Sequence, residues 1–248
     1  TVKAYYMTPR KVNVVDENGN VTGTATGKTK HGTENVIFAG DEVHVTANVP
    51  EGKQFDHWEC DPALTDELTE EAKKDSTLTF KMPSSDVTLT AVYNNVYTVT
   101  AEDAQLTESS GIAGTEVTAT QNVSDSEKFT GWAVVSAPAD FIEWFNSLTE
   151  EQKKADSLTF NIPEGNVVLK AEHKTKHTVT VNGTPIRTDA VEGESITVDA
   201  WENAGIAQDK FERWKTNLKL SEKELTTSYL TFTMPNSDVE FTAVAKTL

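Results

Sequence analysis

The histidines are the side chains here with the widest range of chemistry, because a neutral imidazole can bind a metal ion or move a proton near neutral pH. Only His173 and His177 lie at a spacing seen in metal sites; the others, His31, His44 and His57, are isolated in the sequence. A metal site needs further ligands in a defined geometry, and this pair alone does not define one. We therefore predict no metal site and no cofactor.

Three short segments resemble catalytic or ion-binding motifs, but each lacks a required feature. The segment GESIT around Ser195 is similar to a nucleophile elbow, yet it lacks the second glycine and sits where an alternating strand begins. In DENGN, which starts at Asp16, the glycine is at the fourth position rather than the sixth position of a calcium loop, which favours a hairpin turn. Glu150 and Glu151 resemble a pair of catalytic acids, but they occupy an expected first helical turn, where the helix dipole favours negative charge. We predict no catalytic residue and expect no enzyme, although generic hydrolase chemistry is the remaining alternative.

The composition restricts the classes of partner. Twenty-two basic and thirty-nine acidic side chains give a formal charge of −17, which repels nucleic acid and an anionic bilayer. No apolar run approaches the length of about 18 residues that a membrane helix needs, so we expect no direct membrane insertion. Cys60 is the only cysteine, which excludes a disulfide framework within the chain. Thr1 begins inside a pattern without a leader segment, so we expect a piece of a longer protein.

The elements that position these residues recur three times. LTFKMPSSDVTLTAVY at 78–93 returns as LTFNIPEGNVVLKAEH at 158–173 and LTFTMPNSDVEFTAVA at 230–245, each preceded by a Phe-x-x-Trp motif. A whole recurring unit indicates tandem repeats. Sugar stacking by the repeated tryptophans is the alternative, but recurrence favours a core role. The predicted structural anchors are Phe55, Trp58, Phe80, Pro83, Phe129, Trp132, Phe160, Pro163, Phe211, Trp214, Phe232 and Pro235.

The repeated segment predicts a strand, a turn and a second strand, because apolar and polar residues alternate on either side of a proline. Proline ends the first strand since it cannot donate a ladder hydrogen bond. Nine positions before the segment, Thr69, Thr149 or Ser221 fits a helix N-cap, so we expect one short helix in each repeat. Asn18 and Gly19, a favoured pair for a tight turn, predict an extra hairpin in the first repeat.

The second repeat contains an insertion, ADFIEWFNSL, whose apolar residues follow a helical period. It predicts an added helical segment near 139–155. Its aromatic residues and Trp201 occur in single repeats, so the shared core does not require them. We therefore predict candidate ligand contacts at Phe141, Trp144, Phe145 and Trp201. The alternative is that the helix turns its apolar stripe inward, as amphipathic helices usually do.

The order of these anchors resembles a known family. Gly-x-x-Val-x-Val-x-Ala, then Phe-x-x-Trp, then Thr-Phe-x-Met-Pro-x-x-Asp-Val-x-Leu-x-Ala-x-Tyr, is similar to the divergent internalin-type B repeat, found in tandem in bacterial surface proteins. The second repeat departs from it, with NIPEGN and AEH replacing the usual residues. In the first repeat the match rests on Val43, Ala47, Phe55, Trp58, Phe80, Met82, Pro83, Asp86, Val87 and Ala91.

The resemblance implies an α+β, strand-dominated chain of three tandem small β-grasp-like repeat domains, each with about four strands and one short helix. We predict the repeats at 1–95 (with the extra N-terminal hairpin), 96–175 (with the helical insertion) and 176–248. The implied function is a non-catalytic stalk or spacer that also serves in adhesion. The alternative is a module that binds a host extracellular protein or glycan through the insertion. We expect a secreted or surface-located bacterial protein, monomeric within a longer multidomain chain.

Overall fold

A computed structural model describes residues 6–28, 36–64 and 67–247, so His31 lies outside the described residues. Contacts between Cα atoms divide the chain into two compact units. The first unit contains the first repeat and residues 96–98 and 110–115 of the second repeat; the second unit contains the rest of the second repeat and the third repeat. The predicted boundaries between repeats stay a prediction. The two units are Thr1–Thr98 with Ser110–Thr115, and Val99–Ser109 with Glu116–Leu248.

The first repeat folds into two small sheets. Its strands are β1 (Val12–Asp16), β2 (Gly23–Lys28), β3 (Glu42–Ala47), β4 (Lys53–Cys60), β5 (Thr77–Lys81) and β6 (Val87–Glu102). In one sheet β6 pairs in parallel with β1 and antiparallel with β4. In the other sheet β3 lies between β2 and β5, with antiparallel pairing on both sides. Two 3-10 helices, Pro62–Leu64 and Ala72–Lys74, connect β4 to β5.

The second repeat uses the same two-sheet arrangement. Its elements are β7 (Ala104–Leu106), β8 (Ser110–Ile112), β9 (Glu116–Gln121), β10 (Glu127–Ser136), α1 (Ala139–Ser147), α2 (Glu150–Lys153), β11 (Ser157–Asn161) and β12 (Val167–Thr175). The end of β6 pairs in parallel with β12, and β12 pairs antiparallel with β10. The second sheet has the order β7, β9, β11. The short strand β8 pairs with residues 96–98 of β6 within the first unit.

The third repeat repeats the pairing with one change. Its elements are β13 (His177–Val181), β14 (Thr184–Ala190), β15 (Ser195–Asp199), α3 (Ala200–Ala204), β16 (Phe211–Thr216), α4 (Glu222–Leu225), β17 (Tyr229–Thr233) and β18 (Val239–Ala245). β18 pairs in parallel with β13 and antiparallel with β16. β15 pairs with β17, whereas β14 joins the edge of the first sheet beside β13.

The predicted strand-dominated α+β class is confirmed, and the β-grasp assignment stays a prediction. The expected number of about four strands was wrong for the third repeat, which has six; the first repeat also has six, as four strands and the predicted extra hairpin give. The second arm of that hairpin, β2, has the sequence GTATGK, which gives little apolar signal, and it forms a ladder with β3. No helix in the described part of the chain is long and apolar enough to cross a membrane.

The repeated segment forms the strand, turn and strand that its alternation predicts. In β5, β11 and β17 the second and fourth residues are buried and their neighbours are exposed. Each proline lies two residues after its strand ends, as a residue without a backbone N–H requires. Leading into β3, β9 and β15, Gly40, Gly114 and Gly193 all have φ between 86° and 89°, a left-handed conformation that favours glycine.

The predicted short helices form as α-helices in two of the three repeats. The hydroxyl groups of Thr149 and Ser221 each accept a hydrogen bond from the third helical N–H in a capping box. In the first repeat the short helix that follows Thr69 is a 3-10 helix, Ala72–Lys74, rather than an α-helix. Thr69 still accepts a hydrogen bond from the Ala72 N–H at 3.1 Å. Alanine at this position has no side chain to return the second capping bond, which leaves a shorter turn.

Candidate functional site

Each Phe-x-x-Trp motif contains a β-bulge. In a regular strand, residues three apart point to opposite faces. An extra residue interrupts the register between Phe55 and His57, and the other two repeats show the same irregularity. The bulge allows Phe and Trp to lie on one side of the strand. The paired rings are 5.3, 5.5 and 5.2 Å apart in the first, second and third repeats.

The repeated tryptophans are buried and hydrogen-bonded. Trp58, Trp132 and Trp214 are 1%, 5% and 0% exposed, respectively. Each indole N–H donates to a backbone carbonyl that lies between the connecting helical segment and the next strand, at 2.9, 2.9 and 3.0 Å. A buried ring with its polar atom satisfied stabilises the fold and offers no face to a ligand. These three residues therefore cannot form a ligand platform without local unfolding.

The insertion in the second repeat forms α1, which precedes the shared short helix α2, and most of its apolar stripe faces the core. Phe141 and Phe145 are buried, whereas Trp144 is half-buried. The ring of the core residue Phe160 lies 5.1 Å from Phe141 and 6.1 Å from Trp144. Pro138 is the N-cap of α1 and makes no side-chain hydrogen bond, and Asp140 lies in the first helical turn. Trp144 and the buried Phe141 both line a surface groove of about 460 Å³, and Trp144 is the more exposed of the two.

Trp201 lies in a different environment, at the start of α3. Its side chain is 64% exposed, and so is that of Tyr229 on β17. Both line one cleft of about 420 Å³, together with Asp199, Gln208 and Ser228. The sequence predicted Trp201 as a candidate contact but missed Tyr229. The available signal was the small hydroxyl residue at the equivalent positions of the other two repeats.

The two closely spaced histidines have separate surroundings. His173 lies between two carboxylates, with Nε2 3.1 Å from Asp103 and Nδ1 2.8 Å from Glu127. The Nε2 atom of His177 instead lies 2.9 Å from the Asn236 side-chain oxygen. Across residues 6–28, 36–64 and 67–247, no group of three or more His, Cys, Asp or Glu side chains could hold a metal ion.

The other motif-like segments also have local structural roles. The Asp16 carboxylate accepts hydrogen bonds from the backbone N–H groups of Asn18 and Asn20 at 2.9 and 2.8 Å, which closes the hairpin turn. These bonds, led by the side chain of Asn20, lower the pKa of Asp16. Ser195 is an exposed residue at the start of β15. Burial raises the pKa of the Cys60 thiol, which disfavours the reactive thiolate.

A cluster of charges joins the second and third repeats within the second unit. Lys128 Nζ of β10 lies 2.6 Å from the Glu194 carboxylate, which also accepts from Arg187 at 3.3 Å. Lys174 Nζ donates to the Glu192 backbone oxygen at 2.9 Å. The hydrogen bond from Lys128 is the main cause that lowers the pKa of Glu194. Sequence analysis missed this joint, because its partners are far apart along the chain.

Comparison with known proteins gives one match, to a protein family. A family model of the divergent InlB B-repeat domain matches residues 11–97 and 173–246, well over half of the chain. No curated protein and no solved structure matches this chain. The matched ranges leave out 98–172, which contains most of the second repeat with its helical insertion. This family is associated with bacterial surface proteins. The chain belongs to the divergent InlB B-repeat family.

Proposed function

We propose that this chain is a non-catalytic tandem-repeat segment of a bacterial cell-surface protein, where it acts as a stalk or spacer and takes part in adhesion. The proposal places it outside the cell, on the bacterial surface or secreted. It assigns the repeats a mechanical role, because their recurring buried residues stabilise the fold. The supporting observation is the joint between the second and third repeats.

Only Lys176 separates the end of β12 from the start of β13. Its backbone N–H donates to the Ser126 carbonyl at 2.9 Å, so even the connecting residue is tied to the second repeat. The ion pair of Lys128 with Glu194 adds a contact on side chains that are 33% and 27% exposed. A one-residue connection held by such contacts restricts rotation between repeats, unlike a flexible linker. Restricted rotation is the property that a spacer requires.

A distance measurement tests this role. Spin labels at Glu143→Cys on α1 and Lys223→Cys on α4, in a Cys60→Ser background, occupy exposed helical positions in the two repeats. We expect a single narrow distance distribution by double electron–electron resonance. Lys128→Met should broaden it, because the variant removes the bridging charge while keeping an apolar stem. A broad distribution in the unmodified joint would contradict the spacer role.

Ligand binding through the insertion is the second candidate function, with a host extracellular protein or glycan as the partner. The groove beside Trp144 favours it, since Asp140, Thr159 and Asn161 provide polar groups there. Trp144→Ala should then abolish binding to immobilised matrix proteins or glycans while leaving the circular dichroism spectrum unchanged. Phe145→Ala serves as the contrast, because Phe145 is buried and its removal should destabilise the fold. Binding that survives Trp144→Ala would exclude this groove.

The non-catalytic assignment has its own test. The family is one of repeat domains, and Ser195 and Cys60 both lack the surroundings of an activated nucleophile. Incubation of the chain with generic glycosidase, esterase and protease substrates should give no turnover above the background rate. Turnover that co-purifies with the chain and is lost on its denaturation would refute the assignment.

A further inference from the structure

The cleft in the third repeat places two exposed aromatic rings beside a small set of polar groups. Trp201 and Tyr229 are each 64% exposed, although large aromatic side chains are usually mostly buried. They share the cleft with the carboxylate of Asp199, the amide of Gln208 and the hydroxyl of Ser228. Its volume of about 420 Å³ falls in the range of about 300–1,000 Å³ of small-molecule sites.

The shared fold does not explain the two rings. Ile196 pairs with Phe232 as Val43 pairs with Phe80, so the two registers can be aligned. The alignment places Tyr229 at the position of Thr77. The strands that the three repeats share, here called the frame, therefore do not need an aromatic residue at this position. The corresponding residue of the second repeat, Ser157, is also small and hydroxylated.

Trp201 comes from an addition to the frame. Residues 200–210 connect β15 to β16 and contain α3, whereas the shorter segments 48–52 and 122–126 make the same connection in the other repeats. An element that is present once, on an otherwise repeated frame, is a common location for a binding residue. Trp201 therefore lies in a segment that is not part of the core shared by the three repeats.

The backbone around the cleft is held in place by several hydrogen bonds. The Asp199 carboxylate accepts from the Trp201 N–H at 2.7 Å, and the Asp199 N–H donates to the Asn203 side chain at 2.7 Å. Gly205 ends α3 in the left-handed conformation, with φ 69°. Asp199 also pairs directly with Tyr229 across the two strands. A preorganised backbone lowers the entropy cost of binding at the two aromatic positions.

The polar groups indicate which ligand fits. Among the residues that the structure describes, no Lys, Arg or His side chain lines the cleft, and the chain carries a formal charge of −17, so an anionic ligand is disfavoured. The single carboxylate of the lining already caps α3, which weakens the case for a basic peptide. A sugar ring instead presents an apolar face to an aromatic ring and hydroxyl groups to amides and hydroxyls. We propose that the Trp201–Tyr229 cleft binds an uncharged saccharide, a site that rests on the adhesive role proposed above.

The test uses the intact chain and defined probes. Chitotriose, mannotriose, N-acetyllactosamine and, as the competing class, a tetra-arginine peptide are titrated by tryptophan fluorescence and by saturation-transfer NMR. At least one saccharide should bind saturably. Trp201→Ala and Tyr229→Ala should each weaken it by about tenfold or more, because each removes a stacking face. Tyr229→Phe keeps the ring and should weaken binding less, and Ile142→Ala, at an exposed residue outside the cleft, should leave it unchanged.

The outcomes separate this site from the broader function. Three outcomes would each overturn the saccharide site. None of the three saccharides binds, or the Trp201 and Tyr229 variants leave saccharide binding unchanged, or the peptide alone binds. The same variants are then tested on immobilised matrix proteins. Matrix binding that persists in Trp201→Ala and Tyr229→Ala would leave adhesion in place while excluding this cleft. The spin-label distances test the spacer role without any ligand.

Discussion

Trp214→Phe should lower the free energy of unfolding of the third repeat by about 2–3 kcal/mol. The indole is 0% exposed, and it packs 5.2 Å from the ring of Phe211 and 5.5 Å from that of Phe241. Loss of its hydrogen bond to the Thr227 carbonyl should cost about 1 kcal/mol, because Thr227 is exposed and water can replace the donor. The lost ring volume should cost a further 1–2 kcal/mol, roughly, in a site that cannot fully collapse.

Trp201→Phe is the matched control, since it makes the same chemical change at a side chain that is 64% exposed. It should change stability by less than about 0.5 kcal/mol. Urea unfolding gives the overall change, and amide exchange in β16 and β18 assigns it to the third repeat. Equal effects of the two variants would refute the structural role of Trp214. Protection of β16 and β18 that is unchanged in Trp214→Phe would do the same.

Three further predictions address the joint, a helix cap and the insertion. The pKa of Glu194 is lowered mainly by Lys128, so their ion pair stabilises the fold above the ordinary value of 4.5, and this contribution is lost as the pH falls through the folded-state pKa. In thermal unfolding, the wild type should therefore lose more stability than Glu194→Gln between pH 7 and pH 3. A double-mutant cycle of Glu194→Gln with Lys128→Met should give a coupling energy of about 0.5 kcal/mol, and a coupling energy of zero would reject the contact. Thr149→Ala should lower the free energy of unfolding by about 1 kcal/mol in urea unfolding, because it removes the N-cap hydroxyl. Thr149→Ser keeps the hydroxyl and should keep most of the wild-type stability. An equal loss in both variants would argue against capping. Phe145→Ala should lower the free energy of unfolding by about 3–5 kcal/mol, because it leaves a cavity in the core. Ile142→Ala, at a side chain that is 40% exposed, should lower it by less than about 0.5 kcal/mol. Similar values for the two variants would contradict the inward orientation of α1.

Local sequence was sufficient to predict the strands of the repeated segment. In LTF and its copies, a period of two identifies both the element and the buried face, because successive side chains of a strand alternate. Leu78, Phe80 and Met82 are accordingly buried. Thr149 and Ser221 identified their helices for the same reason, since a cap acts within one turn.

Pairings between distant segments could not be predicted in this way. β2 contains two glycines and little apolar signal, and it is fixed by its ladder with β3. The bulge in Phe-x-x-Trp had a signal that was not used: a spacing of three between two core residues is inconsistent with a regular strand. The joint around Glu194 had no local signal, because Lys128 lies in another repeat.

The candidate contacts show the same limit. Periodicity placed Phe141, Trp144 and Phe145 on one helical face but could not say whether that face meets the core or a ligand. The burial of both phenylalanines decides it, and the ring of Phe160 on β11 contacts that of Phe141. Tyr229 was not predicted, because it lies just before the repeated segment and its strand partner, Asp199, is distant along the chain.

The two helical additions lie at different connections of a common frame. α1 extends the connection before β11, whereas α3 extends the connection before β16, and the strands β11 and β15 keep the same alternation of buried and exposed residues. Because these strands bury alternate residues, their outward positions and the connections can change without loss of core packing. Trp201 and Tyr229 occupy one such connection and one such outward position. Exposed residues can therefore differ from repeat to repeat while the core packing stays the same.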